Sequence, residues 1–473
     1  MSKHSSATTL RDVSAIDARI DDLVARQRAF FASGATLSRS FREEQLTVLR
    51  DSIVKHEAQL FDALHADLRK NKAEAYGTEI GGLLADLRHA HRSLRKWMRP
   101  KSWLSPLLVA PSKSEVHPQP LGSNLIISPW NYPVRLALVP LVGAIAAGNV
   151  AVLKPSELAP ATSAVIAAIV ASAFADEYVA VLEGDVLVSQ KLLERKWDHI
   201  FFTGSTQVGK IVAHAAAEHL AKCTLELGGK SPTIVMPSAD LDVAANRIVF
   251  GKFVNAGQTC VAPDYVLVHE SVHDALVERM IGAVRRFYGH DPRQSADYGR
   301  IVNARHFRRL ASLIDASKVV VGGDTDEDDR YIAPTIMTDV ESDDPVMADE
   351  IFGPLLPVSR VRDLDEAIAR VAERPQPLAL YLFTRDANEE EQVLNRVSFG
   401  GGCINNTIMH LGDGDLPFGG VGTSGLGAYH GRASFETFSH LKSVLRSGTF
   451  FDPSLKYPPF DEAKLKILRK LLR

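Results

Sequence analysis

With 473 residues, 45% of them apolar and 23% charged, the chain is long enough for two or three domains and has the balance of a soluble globular protein. Against 57 acidic residues stand 54 basic ones, and a net charge of −3 carries no overall footprint for nucleic acid or an anionic membrane. The three cysteines, Cys223, Cys260 and Cys403, are widely spaced and odd in number, which excludes a disulfide framework and a CxxC metal pair and suits a reducing cytosol.

The N-terminus is polar and without the apolar block of a secretion signal, so residues 1–17 read as a flexible leader. Residues 16–97 carry a helical pattern, with long amphipathic runs at 42–68 and 80–97. His56-Glu57 is followed by Ala58, Gln59 and Leu60, so an HExxH zinc site is not formed and no metal is expected. Pro100, Pro106 and Pro111 punctuate a poorly periodic segment, and 115–121 reads as a strand reaching toward another domain or subunit.

Strands and helices then alternate. Strands are expected at 124–128, 150–154, 178–182 and 199–202, and helices at 133–147, 159–174, 186–194 and 206–220. This is the pattern of a parallel sheet covered on both faces, a nucleotide-binding architecture. Residues 136–153 approach bilayer-spanning length, but Pro140, Gly148 and Asn149 divide them into a buried helix, a turn and a strand, so no transmembrane segment is expected.

Ligands bind off the carboxyl ends of strands in such a sheet. Asn131, after the first strand, offers an amide to a developing oxyanion or a cap to the helix starting at Pro133. Lys154 and Glu157 are placed to hold ribose hydroxyls, or stand as a solvated lysine beside a capping Ser156. The run Thr203-Gly204-Ser205-Thr206-Gln207-Val208-Gly209-Lys210 is a glycine-containing strand-to-helix turn, which brings backbone N–H groups and a helix dipole onto a phosphate or simply closes a βα unit. It is neither GxGxxG, because Thr206 replaces the second glycine, nor a P-loop, because Ile211 stands where a metal-binding Ser or Thr is required.

Glu226, in Thr224-Leu225-Glu226-Leu227-Gly228-Gly229-Lys230, is an acid framed by leucines and a Gly-Gly break. Burial there raises a carboxylate toward the range of a general base; pairing with Lys230 is the plainer reading. Residues 253–268 (FVNAGQTCVAPDYVLV) place Cys260 between a helix and a strand beside small residues, where a substrate can reach a nucleophilic thiol. A small buried apolar cysteine is the competing reading.

A second α/β block runs to about 417, with strands at 233–235, 266–268 and 378–383 and a helix at 271–287. Glycines crowd 400–402 and 419–425. The tail 464–473 (KLKILRKLLR) is basic and amphipathic; it reads as a terminal helix packed on the body, with weak membrane-surface contact as the other reading.

LELGGKSP around Glu226, GQTC at Cys260, FTGSTQVGK, LKPSE, EIFGP and PFGGVG together resemble the NAD(P)-dependent aldehyde dehydrogenases, over residues 16–459. SPWNYP, CVAPDYVLV, DYGRIVNARHF, RYIAPTIMTDV, PFGGVGTSGLGAYHG and KYPP are similar to the class 3 branch, of fatty and aromatic aldehyde dehydrogenases. Asn405-Asn406 departs from the more usual Asn-Asp, the leader is longer than in compact members, and a basic tail replaces a hydrophobic anchor.

The resemblance implies Cys260 as nucleophile, Asn131 with the Cys260 N–H as oxyanion donors, and Glu226 as activator of the deacylating water. For NAD or NADP it implies contacts from Trp130, Lys154, Glu157, Gly204, Ser205, Thr206, Val208, Gly209, Glu350 and Phe352. Tyr132, Thr407 and Phe418 would line the pocket for an aliphatic or aromatic aldehyde. For a fast reaction at neutral pH, the local field must lower the Cys260 pKa below the ordinary value of roughly 8.5. The implied fold is α/β: a Rossmann-type cofactor domain (18–110 and 122–228), a catalytic domain (229–417), a bridging β arm (111–121 and 418–450) and a tail (451–473), in a cytoplasmic homodimer. The arm would combine 115–121 with a strand near 435–445. A cofactor-free Cys/Glu esterase or thioesterase, and a non-catalytic protein of the same fold, are the competing readings.

Overall fold

Strands Ser123–Ile127 and Val150–Lys154 have every residue buried, which is what a parallel strand shows when helices cover both of its faces. They lie inside a six-stranded sheet in the computed structural model, which describes residues 4–106 and 109–472. From edge to edge the order is Gly425–Leu426, Lys222–Leu227, His199–Gly204, Ser123–Ile127, Val150–Lys154, Val179–Val181. All neighbours are parallel except the short Gly425–Leu426. The chain leaves Ser123–Ile127 toward one edge and returns on its other side at His199–Gly204. That reversal opens a crevice at the carboxyl ends, from which residues 128–132 and 204–209 emerge.

A seven-stranded sheet follows, ordered Val319–Val321, Thr335–Met337, Leu355–Val361, Tyr265–His269, Pro232–Val235, Ala379–Phe383, Gly401–Ile404. It is parallel apart from its first strand. Only four residues separate the end of Lys222–Leu227 from the start of Pro232–Val235, so the carboxyl ends of the first sheet lead into the amino ends of the second. Glu226, at the end of one strand, and Cys260 and Glu350, ahead of two others, all belong to that junction.

The third sheet is antiparallel: Lys101–Leu104, Ser112–Pro120 and Ser439–Ser447. The partner strand expected near 435–445 starts later because Gly431–Thr437 is a helix, whose buried Phe435 packs on Trp97 with ring centroids 5.9 Å apart.

Three other expectations need correction. Of the leader, residues 1–3 lie outside the described residues, but from His4 the chain is helical to Ala32. Asp17 pairs with Arg195 at 2.7 Å, and Ile20 and Leu23 are buried with Trp197 and Val212. The helix expected over 42–68 is two, Arg39–Lys55 and Glu57–Leu68, broken at His56. The tail forms helix Glu462–Leu471, yet none of its residues is buried; Lys464 Nζ donates to the carbonyls of Tyr457 and Pro459 and stands over the Phe460 ring. Leu465, Ile467, Leu471 and Leu472 are exposed and Leu468 is half-buried; residue 473 lies outside the described residues. No helix among the described residues is long and apolar enough to cross a membrane.

Candidate active site

Cys260 hangs from a strained turn. Asn255, Ala256 and Gly257 have φ values of 54°, 51° and 74°, and the left-handed region costs a residue with a Cβ on the order of 1 kcal/mol. A Cβ on Gly257 would lie 2.3 Å from the Gly353 carbonyl oxygen, so only glycine fits there. Side chains hold the turn in place. The Asn255 N–H donates to Glu74 Oε1 (2.9 Å), and Asn255 Nδ2 donates to the carbonyls of Asn131 (2.8 Å) and Gln258 (3.2 Å). Buried Gln258 donates to the Asn255 and Arg300 carbonyls and accepts the Val302 N–H, all at 3.0 Å. Gln258 of the GQT run is therefore a brace.

The expected lowering of the thiol is not what this chain supplies. Burial, then the Glu350 and Glu226 carboxylates, push the Cys260 thiol up to about 12, opposed only by the N–H groups of Cys260 and Val261. Desolvation wins because a thiolate gains more from water than from two peptide donors.

Glu226 is buried, and neither carboxylate oxygen has a hydrogen-bond partner, so burial pushes its carboxyl well above the ordinary range. Pairing with Lys230 does not occur: Lys230 Nζ donates to Asp264 Oδ2 at 2.6 Å. Glu350 is raised to about 8, first by burial and then by the charge of Asp264, against the Gly229 N–H, Lys230 and Lys252. Its Oε1 is buried and unpartnered, and a Cβ on Gly228 would fall 1.9 Å from its Oε2.

Asn131 is buried and is not a helix cap; its Nδ2 donates to the Gln258 carbonyl at 3.0 Å. A carbonyl can only accept, so the amide nitrogen faces Cys260's own loop, and its second hydrogen has no partner among the described residues. The helix Pro133–Ala147 is capped instead by Glu79, whose Oε2 accepts from the N–H groups of Val134 (2.9 Å) and Arg135 (3.4 Å).

On the crevice side, Lys154 Nζ donates to Glu157 Oε2 at 2.6 Å. Ser205 caps helix Thr206–Glu218 through the Val208 N–H, while the Thr206 hydroxyl donates to the Thr423 carbonyl at 3.1 Å. Gly204 and Gly209 pack against the side chains of Phe202 and Leu227, and Val208 and Ile211 leave 43% and 60% of their surface exposed. Trp130 meets Phe352 edge-on at 5.4 Å. A glycine turn, exposed apolar side chains that a flat base could cover, and an unpartnered buried carboxylate oxygen suit a dinucleotide: pyrophosphate at 204–209, base over Val208, a ribose hydroxyl on Glu350.

On the other side of the thiol lies a cavity of about 680 Å³, walled by Tyr132, Phe250, Val254, Phe287, Ile408 and Phe418. The Tyr132 hydroxyl lies 2.7 Å from Thr259 Oγ1. Thr407, expected in this wall, is turned away: its hydroxyl donates to the Arg247 carbonyl at 2.6 Å, and it packs on Gly251. Sequence reasoning missed Lys70, Glu79 and the brace of Asn255 and Gln258. For Glu79 a signal exists: Glu79-Ile80-Gly81-Gly82-Leu83 repeats the frame of an acid beside Gly-Gly and apolar residues that marks Glu226.

Two α/β units meet around Cys260, which has the unpartnered buried acid Glu226 near it and a strand-to-helix glycine turn in the same crevice, an arrangement suited to a dinucleotide-dependent enzyme. The aldehyde dehydrogenase family profile matches residues 3–444. The chain is 49% identical over 448 residues to the 4,4'-diaponeurosporen-aldehyde dehydrogenase of Staphylococcus aureus (94% of this chain, 97% of that one). It is 44% identical over 443 residues to the dimeric NADP-preferring aldehyde dehydrogenase of Canis lupus familiaris (93% and 98%). The substrate-bound structure of Staphylococcus aureus AldH superposes with a TM-score of 0.94 at 48% identity, covering 96% of this chain and 99% of that one. The chain belongs to the aldehyde dehydrogenase family, within which it is class 3-like; it is an oxidoreductase acting on the aldehyde group.

Proposed function

We propose that this enzyme oxidises medium- or long-chain aliphatic aldehydes, and aromatic ones less well, to carboxylic acids with NAD or NADP. The observation that carries the reading is the placement of Cys260: it lines a mainly apolar cavity of about 680 Å³, with the unpartnered carboxyl of Glu226 close enough to affect its titration. A cavity of this volume far exceeds what one aromatic ring fills and lies in the range for an extended apolar ligand.

Cys260 gives up its thiol proton to solvent, and Sγ then adds to the aldehyde carbon, breaking the C=O π bond. The oxygen charge that forms is met by the free hydrogen of Asn131 Nδ2 and by the Cys260 N–H, a type of donor worth about 3–4 kcal/mol each. A dinucleotide held in the crevice would supply the hydride acceptor, so that the carbon bonded to Cys260 Sγ would be left as a thioester. Glu226 takes a proton from water as the water's oxygen attacks the thioester carbon, and the sulfur leaves with the electron pair of the C–S bond. Lys154, Glu157, Glu350, Trp130, Phe352 and the 204–209 turn would hold the dinucleotide. The same reading assigns the cofactor role to 18–110 and 122–228, the catalytic role to 229–417 and bridging to 111–121 and 418–450.

The assay is nicotinamide absorbance with a panel of aldehydes and either cofactor. Turnover that rises with chain length supports the reading. Ester cleavage indifferent to cofactor, without oxidation, would assign a hydrolase instead, and no turnover a binding protein.

A cytoplasmic homodimer accompanies this proposal, supported by the exposed antiparallel sheet, where Leu104 is 88% exposed and Leu441 and Leu445 also face outward. Light scattering checks the assembly state. Weak contact of the basic tail with a membrane surface is tested by liposome sedimentation with and without residues 464–473.

A further inference from the structure

Beneath the turn that carries Asn131 lie two charged side chains with no exposure to solvent. Lys70 and Glu79 are each 0% exposed, with Nζ and Oε1 2.5 Å apart. A buried ion pair returns its desolvation cost only when its remaining donors and acceptors are also satisfied, so the destination of those bonds is informative. Every one of them falls on the same few residues. Lys70 Nζ donates to the Asn131 carbonyl at 3.1 Å and stands 4.0 Å over the Tyr132 ring. Glu79 Oε2 accepts from the N–H groups of Val134 and Arg135. The pair thus holds the turn 131–132 from its carbonyl and from the first N–H groups of the helix that follows.

The local backbone is shaped for this. Tyr76–Ile80 is a π-helical turn, a rare widening found mostly at functional sites. It sets Gly77 and Thr78 on the wall of the apolar cavity and Glu79 under the helix start. The Asn131 carbonyl that Lys70 engages also accepts from Asn255, on the nucleophile's own turn. Asn131 is therefore located relative to Cys260 by bonds at both ends: its carbonyl to Lys70 and Asn255, its amide to Gln258.

We infer that Lys70 and Glu79 are positioning residues for the oxyanion donor. They act through Asn131, fix where its free N–H points, and couple that point to the cavity wall through the π-turn. The inference rests on Asn131 being the oxyanion donor. A misplacement of about 1 Å at such a site costs on the order of 100-fold in rate.

The test is a mutant cycle read in a single turnover with excess enzyme, monitoring the first equivalent of reduced nicotinamide, with dinucleotide Kd measured alongside. Lys70→Met/Glu79→Gln removes both charges together, so neither is left buried alone. It should slow the first turnover about 10- to 100-fold with Kd unchanged. Asn131→Ala should slow it about 100-fold or more. The triple variant should be no slower than Asn131→Ala alone, because residues that act through one atom do not add.

Multiplied losses in the triple variant, a parental rate in the neutral pair, or a weakened Kd would each overturn the inference while leaving the oxyanion role of Asn131 standing. Asn131→Ala at the parental rate would remove that role, and this inference with it. Should the neutral pair fail to fold, Lys70→Arg enters the same cycle. It keeps the charge but moves the donor off the Asn131 carbonyl, and the same non-additivity is expected.

Discussion

In the unliganded enzyme, Cys260 should behave as an unusually unreactive cysteine. With the thiol at about 12, the thiolate fraction at pH 7.5 is about 3 × 10⁻⁵, against about one-tenth for a free cysteine of pKa roughly 8.5. Intrinsic nucleophilicity rises with pKa with a slope of about 0.4–0.5, which recovers a factor of roughly 25–55 over those 3.5 units. The net expectation is exchange with a small disulfide reagent about 100-fold slower than free cysteine at pH 7.5. Because the folded-state value lies far above neutrality, the rate should climb about tenfold per pH unit and show no plateau up to pH 10. Mass spectrometry of the Cys260 peptide measures this, with Cys260→Ala reporting the background from Cys223 and Cys403. A plateau below about pH 9, or a rate at pH 7.5 equal to that of free cysteine, would refute the argument that burial and two carboxylates outweigh the two N–H donors.

Glu226→Gln should keep a first-turnover burst of reduced nicotinamide while slowing the steady state about 100-fold or more; a parental steady rate would deny Glu226 its role as base. The same change should raise the thermal midpoint at pH 7.5. A carboxyl raised by burial loses folding stability as pH rises above its ordinary value of 4.5, and glutamine removes that loss; scanning calorimetry at pH 5 and 7.5 should show a larger gain at the higher pH. Gly228→Ala should weaken dinucleotide binding by displacing the Glu350 carboxylate, the movable end against which its methyl would stand; an unchanged Kd would take Glu350 out of the crevice. Phe287→Ala, in the cavity wall, should raise KM for long-chain aldehydes more than for short ones, measured by the ratio of kcat/KM values.

Periodicity over a few residues placed four of the six strands of the first sheet but only three of the seven of the second, and it missed Lys222–Leu227, which carries Glu226. The helix Pro133–Ala147 and the strand Val150–Lys154 lie where proline, glycine and the apolar run put them. Glu226 stands out from its immediate neighbours alone, because an acid among leucines is costly in any fold that buries them. Thr407 shows the opposite case. Next to an active-site segment in sequence, it still turns onto the Arg247 carbonyl, because strand Gly401–Ile404 sets the direction in which the following residues leave the sheet.

The sequence by itself determined the alternation of strands and helices, which residue type and spacing set locally, and its resemblance to the aldehyde dehydrogenases singled out the candidate nucleophile, base and phosphate-type turn. Only the tertiary structure decided the charge state of the thiol, the bracing of Asn131 and the burial of Glu350. Lys70 lies 61 residues from Asn131, and Asn131 lies 127 from Gln258. Hydrogen bonds and desolvation depend on distances in space, and no local pattern carries a distance between residues that far apart in the chain.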